Sequence, residues 1–287
     1  MGVKGGRRET MRILVTGGTG KTGARLAARL RENGFASRVA ARSATAADSS
    51  CSFDWTRAAS WHHALEDVSA IYLVAPAIEG DPAGMMIDFV RLAIERGVRR
   101  FVLLSASLLP AGGPAMGQVH RWLQQNAPEW IVLRPSWFME NFSEGQHVTT
   151  IRQENRIYSA TEDGRVPFVS ADDIAATAMT ALTCKTPLNR DFILSGGELL
   201  TYDQVANRIG DATGRAIVHQ QLSPDQLAVR YRSLGLGSDH AQMLAAMDVA
   251  IAAGAEDRIT TCIEDLTGQG PTSFDTFVRS NLSKWST

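Results

Sequence analysis

The stretch from Met11 to Gly23, Met-Arg-Ile-Leu-Val-Thr-Gly-Gly-Thr-Gly-Lys-Thr-Gly, constrains the fold of this chain more than any other. An apolar strand, Ile13 to Val15, runs straight into a glycine-dense turn, and the turn opens a helix-type sequence, Ala24 to Leu30. Glycines let a backbone turn tightly and approach a ligand, while a helix N-terminus presents unpaired N–H groups and the positive end of its dipole. The product is an anion site shaped for a pyrophosphate. Two spacings can be read, Gly18-x-Gly20-x-x-Gly23 and Gly17-x-x-Gly20-x-x-Gly23. Either one, set between strand and helix, predicts dinucleotide binding by Gly17, Thr19, Gly20, Lys21, Thr22 and Gly23. A P-loop is excluded, because that motif needs a glycine five residues before Gly20 and Val15 stands there.

From Met11 to about Leu133, short apolar runs alternate with helix-length segments. The runs are Ile13–Val15, Ser37–Ala41, Cys51–Phe53, Ile71–Val74, Phe101–Leu104 and Ile131–Leu133. Between them lie periodic segments such as Met85 to Ile94, closed by Arg96-Gly97. This alternation predicts βαβ units and an α/β fold with a doubly wound parallel sheet. After Pro135 the rhythm changes. Strand-like Ile157–Ser159 and Phe192–Leu194 are interleaved with helices, and the last third is mainly helical. Pro224 to Ala253 carries apolar residues at helical spacing (Leu227, Tyr231, Leu234, Met243, Leu244, Met247, Ile251), and a final helix is expected around Phe274 to Leu282. The expected organisation is a leader over 1–10 without regular structure and a nucleotide-binding domain over 11–135, to which segments near 165–195 return. Residues 136–287 form mainly a smaller, helical substrate lobe over the carboxyl ends of the sheet, where ligands bind in such folds.

Charge and composition narrow the partners. The 287 residues are 44% hydrophobic, enough for one large domain or a domain with a smaller lobe. With 29 basic against 30 acidic residues and no basic stripe, nucleic acid is not an expected partner. No apolar run approaches the ~20 residues that span a bilayer, so no membrane partner is expected. Met1 to Thr10 has neither the apolar core nor the cleavage pattern of a secretory signal. Three scattered cysteines, Cys51, Cys184 and Cys262, suit a reducing compartment, and a cytoplasmic location is expected. A small-molecule substrate is the expected partner, and a homodimer is left open. No histidine or cysteine spacing suggests a metal; His62 and His63 are adjacent and cannot share a helix face.

The end of the second strand carries the signal for the cofactor. An NAD site has an Asp or Glu about 20 residues past the glycines to bind the ribose hydroxyls. Here Arg42 stands nineteen residues beyond Gly23, and no carboxylate lies nearby. A guanidinium can grip the 2′-phosphate of NADP with paired hydrogen bonds, so NADP(H) is expected. Asp54 closes the third strand and either accepts from the adenine amino group or caps the next helix. Ala75 and Pro76 end the fourth strand, Ser105 and Ser107 come after the fifth, and all four are positioned to line the cofactor cleft.

For chemistry, the pair that many reductases of this type use to protonate substrate, Tyr-x-x-x-Lys, is missing. The fourth residue after Tyr72, Tyr158, Tyr202 and Tyr231 is Pro76, Glu162, Ala206 and Gly235. A substrate that accepts hydride without a strong proton donor fits, such as a cationic iminium or a quinone. His120, on the helix after the fifth strand, is the remaining candidate donor beside Ser105, and equally a packed or solvent-facing histidine. Trp137, Phe138 and Met139, with Asn141 close behind, leave the sixth strand as either an apolar substrate wall or core. Ser170 to Asp173 matches a capping box, which makes Asp172 and Asp173 structural.

These stretches together resemble the NmrA-like branch of atypical short-chain dehydrogenase/reductases, with the nearest resemblance to the ergot-alkaloid (festuclavine and agroclavine) dehydrogenase group. The matching residues are Val15–Gly23, Phe53–Trp55, Arg99–Ser107, Leu133–Phe142 and Val166–Ala175, and the resemblance spans Met11 to about Gly214, weakening through the last helices. It implies a Rossmann domain with a small C-terminal substrate lobe, NADP(H) on Gly17, Gly20 and Gly23, Arg42 at the 2′-phosphate and Asp54 near adenine. It also implies reduction of a cyclic imine or iminium in secondary metabolism, with His120 roughly where some relatives carry a lysine or histidine. The branch further includes quinone reductases and NADP(H)-sensing regulators, so a quinone or enone reductase and a non-catalytic sensor are the alternatives.

Overall fold

A computed structural model describes residues 11–43, 49–76 and 80–286. The expected leader, 1–10, lies outside the described residues. The chain divides into two compact units. The first comprises the chain to Pro135, Ala171–Leu194 and Cys262–Gln269; the second comprises Ser136–Ser170, Ser195–Thr261 and the segment from Gly270 onward.

The first unit is the doubly wound α/β fold. Its strands are β1 (Arg12–Val15), β2 (Ala36–Ala41), β3 (Ser50–Ser52), β4 (Val68–Leu73), β5 (Arg100–Leu104), β6 (Glu129–Pro135) and, after the chain has passed through the second unit, β8 (Arg190–Leu194). They pair in the order β3-β2-β1-β4-β5-β6-β8, every neighbour parallel. Helices α1 (Lys21–Glu32), α2 (Ala59–Ala64), α3 (Ala83–Glu95), α4 (Met116–Asn126), α6 (Ala171–Thr183) and α10 (Cys262–Thr267) belong to the same unit. The order reverses between β1 and β4, so the crevice where such sheets bind ligands opens beyond the carboxyl ends of those two strands. Strands covered on both faces must be apolar throughout. Ile13, Leu14 and Val15 are fully buried, as are Ile71, Tyr72 and Leu73. Under α3, Phe89 meets Phe53, Trp55 and Trp61 edge to face, with ring centroids 5.2 to 5.5 Å away.

The second unit holds a two-stranded parallel sheet of β7 (Arg156–Ser159) and β9 (Val218–Gln221). Around it lie α5 (Val148–Glu154), α7 (Tyr202–Thr213), α8 (Pro224–Ser233), α9 (Ser238–Ala252) and α11 (Phe274–Ser280). The apolar spacing from Pro224 to Ala253 resolves into two helices rather than one face. Gly235, at φ 92°, ends the first, and Leu234 and Met243 come out about half exposed while Leu227 and Ile251 are buried. Both α7 and α8 begin with capping boxes, Thr201 with Gln204 and Ser223 with Gln226. The expected last helix stops at Ser280, and a 3-10 turn over Leu282–Lys284 delivers Trp285 into the core. Trp285 is fully buried, and its Nε1–H donates to the Phe142 carbonyl at 2.8 Å.

That tryptophan closes the core of the second unit from the end of the chain. Trp285→Ala should destabilise the protein by about 3–5 kcal/mol, as large buried aromatics do when truncated. Urea unfolding followed by intrinsic fluorescence checks this, and a change under ~1 kcal/mol would contradict it.

Candidate cofactor site

The glycine turn is held by contacts that tolerate no side chain at three positions. Gly17 has φ +62°, and a Cβ there would stand 2.9 Å from Val74 Cβ. At Gly18 it would meet Val39 Cγ1 at 2.4 Å, and at Gly23 the Gly17 carbonyl oxygen at 2.3 Å. Gly20 differs. Its Cβ would meet only the Gly17 oxygen, at 3.2 Å, and Gly20 itself is exposed. Three glycines therefore pack the turn onto the sheet and α1, while Gly20 keeps the outer side of the turn clear. Both spacings read from the sequence thus carry weight, with Gly17, Gly18 and Gly23 structural.

The turn is also tied to β4. The Thr16 hydroxyl donates to the Tyr72 carbonyl at 2.9 Å and accepts from the Val74 N–H at 2.8 Å. Tyr72, fully buried, donates its hydroxyl to Thr22 Oγ1 at 3.1 Å. Thr16 and Tyr72 join the two strands flanking the switch point, a function the sequence reading did not give them. The signal was available: a threonine directly after an apolar strand, and a tyrosine within a strand buried on both faces.

Helix α1 starts at Gly20 with no side-chain cap and no acidic residue in its first turn, so its positive end is not neutralised from within. Its last turn carries Arg29 and Arg31, which suits the negative end. Arg25 and Arg29 hold Asp172 of α6, at 3.1 and 3.6 Å. A pyrophosphate fits this end: bare N-cap, close glycine backbone, exposed Thr19 and Gly20, and Lys21 in the first turn.

Around the crevice the remaining residues sort by position. Arg42, at the end of β2, is exposed, and its charge is felt by Asp54. The Asp54 carboxylate accepts from the hydroxyl and the N–H of Thr56 at 2.8 and 2.9 Å, bonds that hold its pKa below the ordinary value, with Arg57 and Arg42 adding to the shift. It therefore caps a turn, since α2 begins later, after Ala58. Ala75 and Pro76 come after β4, half-buried. Ser105 stands just past β5, and its Oγ is buried without a hydrogen-bond partner among the described residues. A buried hydroxyl with nothing to bond is costly unless a ligand or water completes it, so this atom fits a site for a polar ligand at the carboxyl end of β5. Ser107 is buried, and its carbonyl accepts from Arg134 at 2.7 Å; Arg134 in turn holds Asp191 of β8 at 2.7 Å.

His120 is buried, 2% exposed, with its ring 5.7 Å from that of Trp130 near the start of β6. Burial lowers its pKa, Asp191 opposes and Arg134 adds to the shift. The four positions singled out after Pro135 lie in the second unit. Met139, 1% exposed, is core there, while Trp137, Phe138 and Asn141 are partly exposed. The wall read as Trp137 to Met139 thus keeps two accessible members.

Residues 17–185 match the NAD(P)H-binding family. The chain belongs to that family. It is 43% identical over 286 residues to an agroclavine dehydrogenase of Claviceps fusiformis, covering 96% of this chain and 99% of the relative. A festuclavine dehydrogenase of Aspergillus fumigatus is 39% identical over 291 residues, covering 96% and 99%. In fold it is similar to an NADPH-dependent quinone oxidoreductase of Escherichia coli in complex with NADPH, with TM-score 0.80 and 22% identity over 93% of this chain and 98% of that one. The resemblance to the ergot-alkaloid dehydrogenases holds, and the protein is an NAD(P)H-dependent oxidoreductase.

Gly20 is exposed and a Cβ there would meet only the Gly17 carbonyl oxygen, at 3.2 Å, so Gly20→Val should keep the fold, at a cost of about 1 kcal/mol at this N-cap, and fill the side from which the backbone meets the pyrophosphate. NADPH binding, followed by fluorescence titration, should be lost while the protein still unfolds cooperatively with a midpoint only slightly lowered. Gly84→Ala, in open space on α3, is the control: it should gain up to about 1 kcal/mol and bind cofactor normally. Retained binding in Gly20→Val would mean the turn is misassigned.

Proposed function

We propose that this protein is an NADPH-dependent reductase of a small cyclic imine or iminium, acting in secondary metabolism. The observation that carries the reading is the fate of the tyrosines. Tyr72 is buried and bonded to Thr22, Tyr158 donates to Glu154 at 2.6 Å, and Tyr202 and Tyr231 are buried in the second unit; no tyrosine has a lysine four residues on. Without a tyrosine–lysine pair, an acceptor that needs no concerted protonation is favoured. When bound, the reduced nicotinamide supplies a hydride, and hydride merely neutralises an iminium carbon. The relatives named as agroclavine and festuclavine dehydrogenases support the same substrate class.

Each residue has its own task in this reading. The glycine turn and the start of α1 take the pyrophosphate, Arg42 takes the 2′-phosphate, and Asp54 is assigned to the adenine amino group. Ser105 supplies a hydroxyl at the carboxyl end of β5, Ser107 lies beside it, and Ala75 and Pro76 line the crevice. Trp137, Phe138 and Asn141 are assigned to the acceptor. A neutral imine needs a proton as well, which we assign to His120 or solvent.

Two measurements test this. NADPH absorbance is followed with purified protein against cyclic imines, permanently charged iminiums and quinones. Oxidation selective for the nitrogen compounds is expected; turnover with quinones alone would replace this reading by a quinone reductase, and tight NADPH binding without turnover would favour a sensor. Separately, NADPH should bind more tightly than NADH, and Arg42→Ala should erase most of that preference. Equal affinities in the unaltered protein would refute the role given to Arg42.

A further inference from the structure

The guanidinium of Arg134 joins three strands at the carboxyl edge of the first unit's sheet. Strand β6, which carries it, lies between β5 and β8. One Nη donates to the Ser107 carbonyl, just beyond β5, and the other to the Asp191 carboxylate of β8, both at 2.7 Å. The arginine side chain is 14% exposed. Burial alone would raise the Asp191 pKa, but the hydrogen bond and charge of Arg134 bring it below the ordinary value, so the pair is ionised at neutral pH. A pair this enclosed contributes little to stability beyond what apolar side chains of the same size would give, so its charge calls for another reason.

The segment that Arg134 grips is the one that carries Ser105. Past Leu104 the ladder between β5 and β6 runs on, with the Ser105 N–H donating to the Leu133 carbonyl at 2.8 Å and the Ser107 N–H to the Pro135 carbonyl at 2.9 Å. Leu104 pairs with Leu133, so Ser105 falls beside Arg134 and the two side chains leave the same face of the sheet. The Ser105 hydroxyl has no partner among the described residues, so no bond of its own fixes its place. Its position is set by the backbone beneath it. Strand β6 ends at Pro135 and α4 starts only at Met116, so Arg134 takes the Ser107 carbonyl where the ladder gives out.

A guanidinium suits this task because its two Nη groups point in fixed directions within one plane. With one of them held by Asp191, the other has little freedom left, and the carbonyl it meets is held in turn. A lysine could pair with Asp191 or reach the carbonyl, but has no rigid fork to tie the two together. We propose that Arg134, with Asp191 behind it, is a positioning residue for hydride transfer: it fixes the backbone from Ser105 to Ser107 and thereby places the Ser105 hydroxyl for the acceptor. This deepens the function proposed above and rests on the role given there to Ser105.

Two measurements on the whole protein test this, each with Arg134→Lys and with the milder Asp191→Asn, which keeps the arginine. The first needs no turnover. Amide hydrogen exchange should quicken about tenfold or more at Ser105 and Ser107 in Arg134→Lys, less in Asp191→Asn, and stay as it was in β1 and β4. Unchanged exchange at the two serines, or equal quickening across the sheet, would overturn the inference. The second is the single-turnover rate of NADPH oxidation by the acceptor that the unaltered protein reduces. Arg134→Lys should slow it about ten- to a hundredfold, with NADPH affinity changed less than about threefold. Ser105→Ala should slow it as well, and adding Arg134→Lys to Ser105→Ala should cost less than about a further threefold, because the arginine acts through the serine. Effects that multiply in full, as a merely structural role gives, would contradict the proposal. An unchanged rate in Ser105→Ala would refute the role of Ser105 and this inference with it, while the choice between imine and quinone acceptors is decided separately by the substrate panel.

Discussion

The close approach of Gly23 to the Gly17 carbonyl is the contact on which the rest of the first unit depends. With no Cβ at Gly23, α1 begins directly against the turn that leaves β1, and its N-terminus is aimed at the switch point of the sheet. Everything placed around the crevice depends on that start. Thr16 binds the turn to β4, Tyr72 reaches back to Thr22, and the ends of β2, β4 and β5 bring Arg42, Ala75 and Ser105 to the same edge of the sheet. The site is thus made chiefly of backbone, with few side chains, which is why one added methyl group at Gly23 weighs more than the loss of most polar contacts.

Much of this was legible in the residues because strand, turn and helix are written locally. All six apolar runs up to Leu133 are strands, within a few residues at each end, and the Arg96-Gly97 stop closes α3. Local signals fail where the partner is distant in sequence. His120 lies on a helix whose position is readable, but the packing of its imidazole against Trp130 of β6 is not. Met139 reads the same as its neighbours Trp137 and Phe138, and only the fold of the second unit separates core from surface. Asp54 offered an adenine contact or a helix cap, and the hydroxyl of Thr56 makes it the cap of a turn rather than of α2, leaving the adenine contact as a proposal.

The second unit was the harder half for the same reason. Its two strands are separated by more than fifty residues and pair with each other alone. Its core is closed by a tryptophan near the chain end, and its polar interior is made of residues that look ordinary in sequence. His219 lies between Asp203 and Ser159, at 3.3 and 2.7 Å, and the buried Asp248 accepts from the Ala160 N–H at 2.8 Å; neither arrangement has a spacing to announce it. The glycine turn is common to many enzymes, so what distinguishes this one is expected in that interior.

Delivery of hydride to a carbon bound to nitrogen is the chemistry at the centre of the proposed function. Single-turnover reaction of stoichiometric protein with NADPH carrying deuterium at both positions of the nicotinamide C4, and a cyclic iminium as acceptor, tests this directly by mass spectrometry and NMR of the product. One deuterium at the former iminium carbon, with none exchanged from solvent, is the predicted result. Unlabelled amine, or unchanged iminium beside intact bound NADPH, would contradict it.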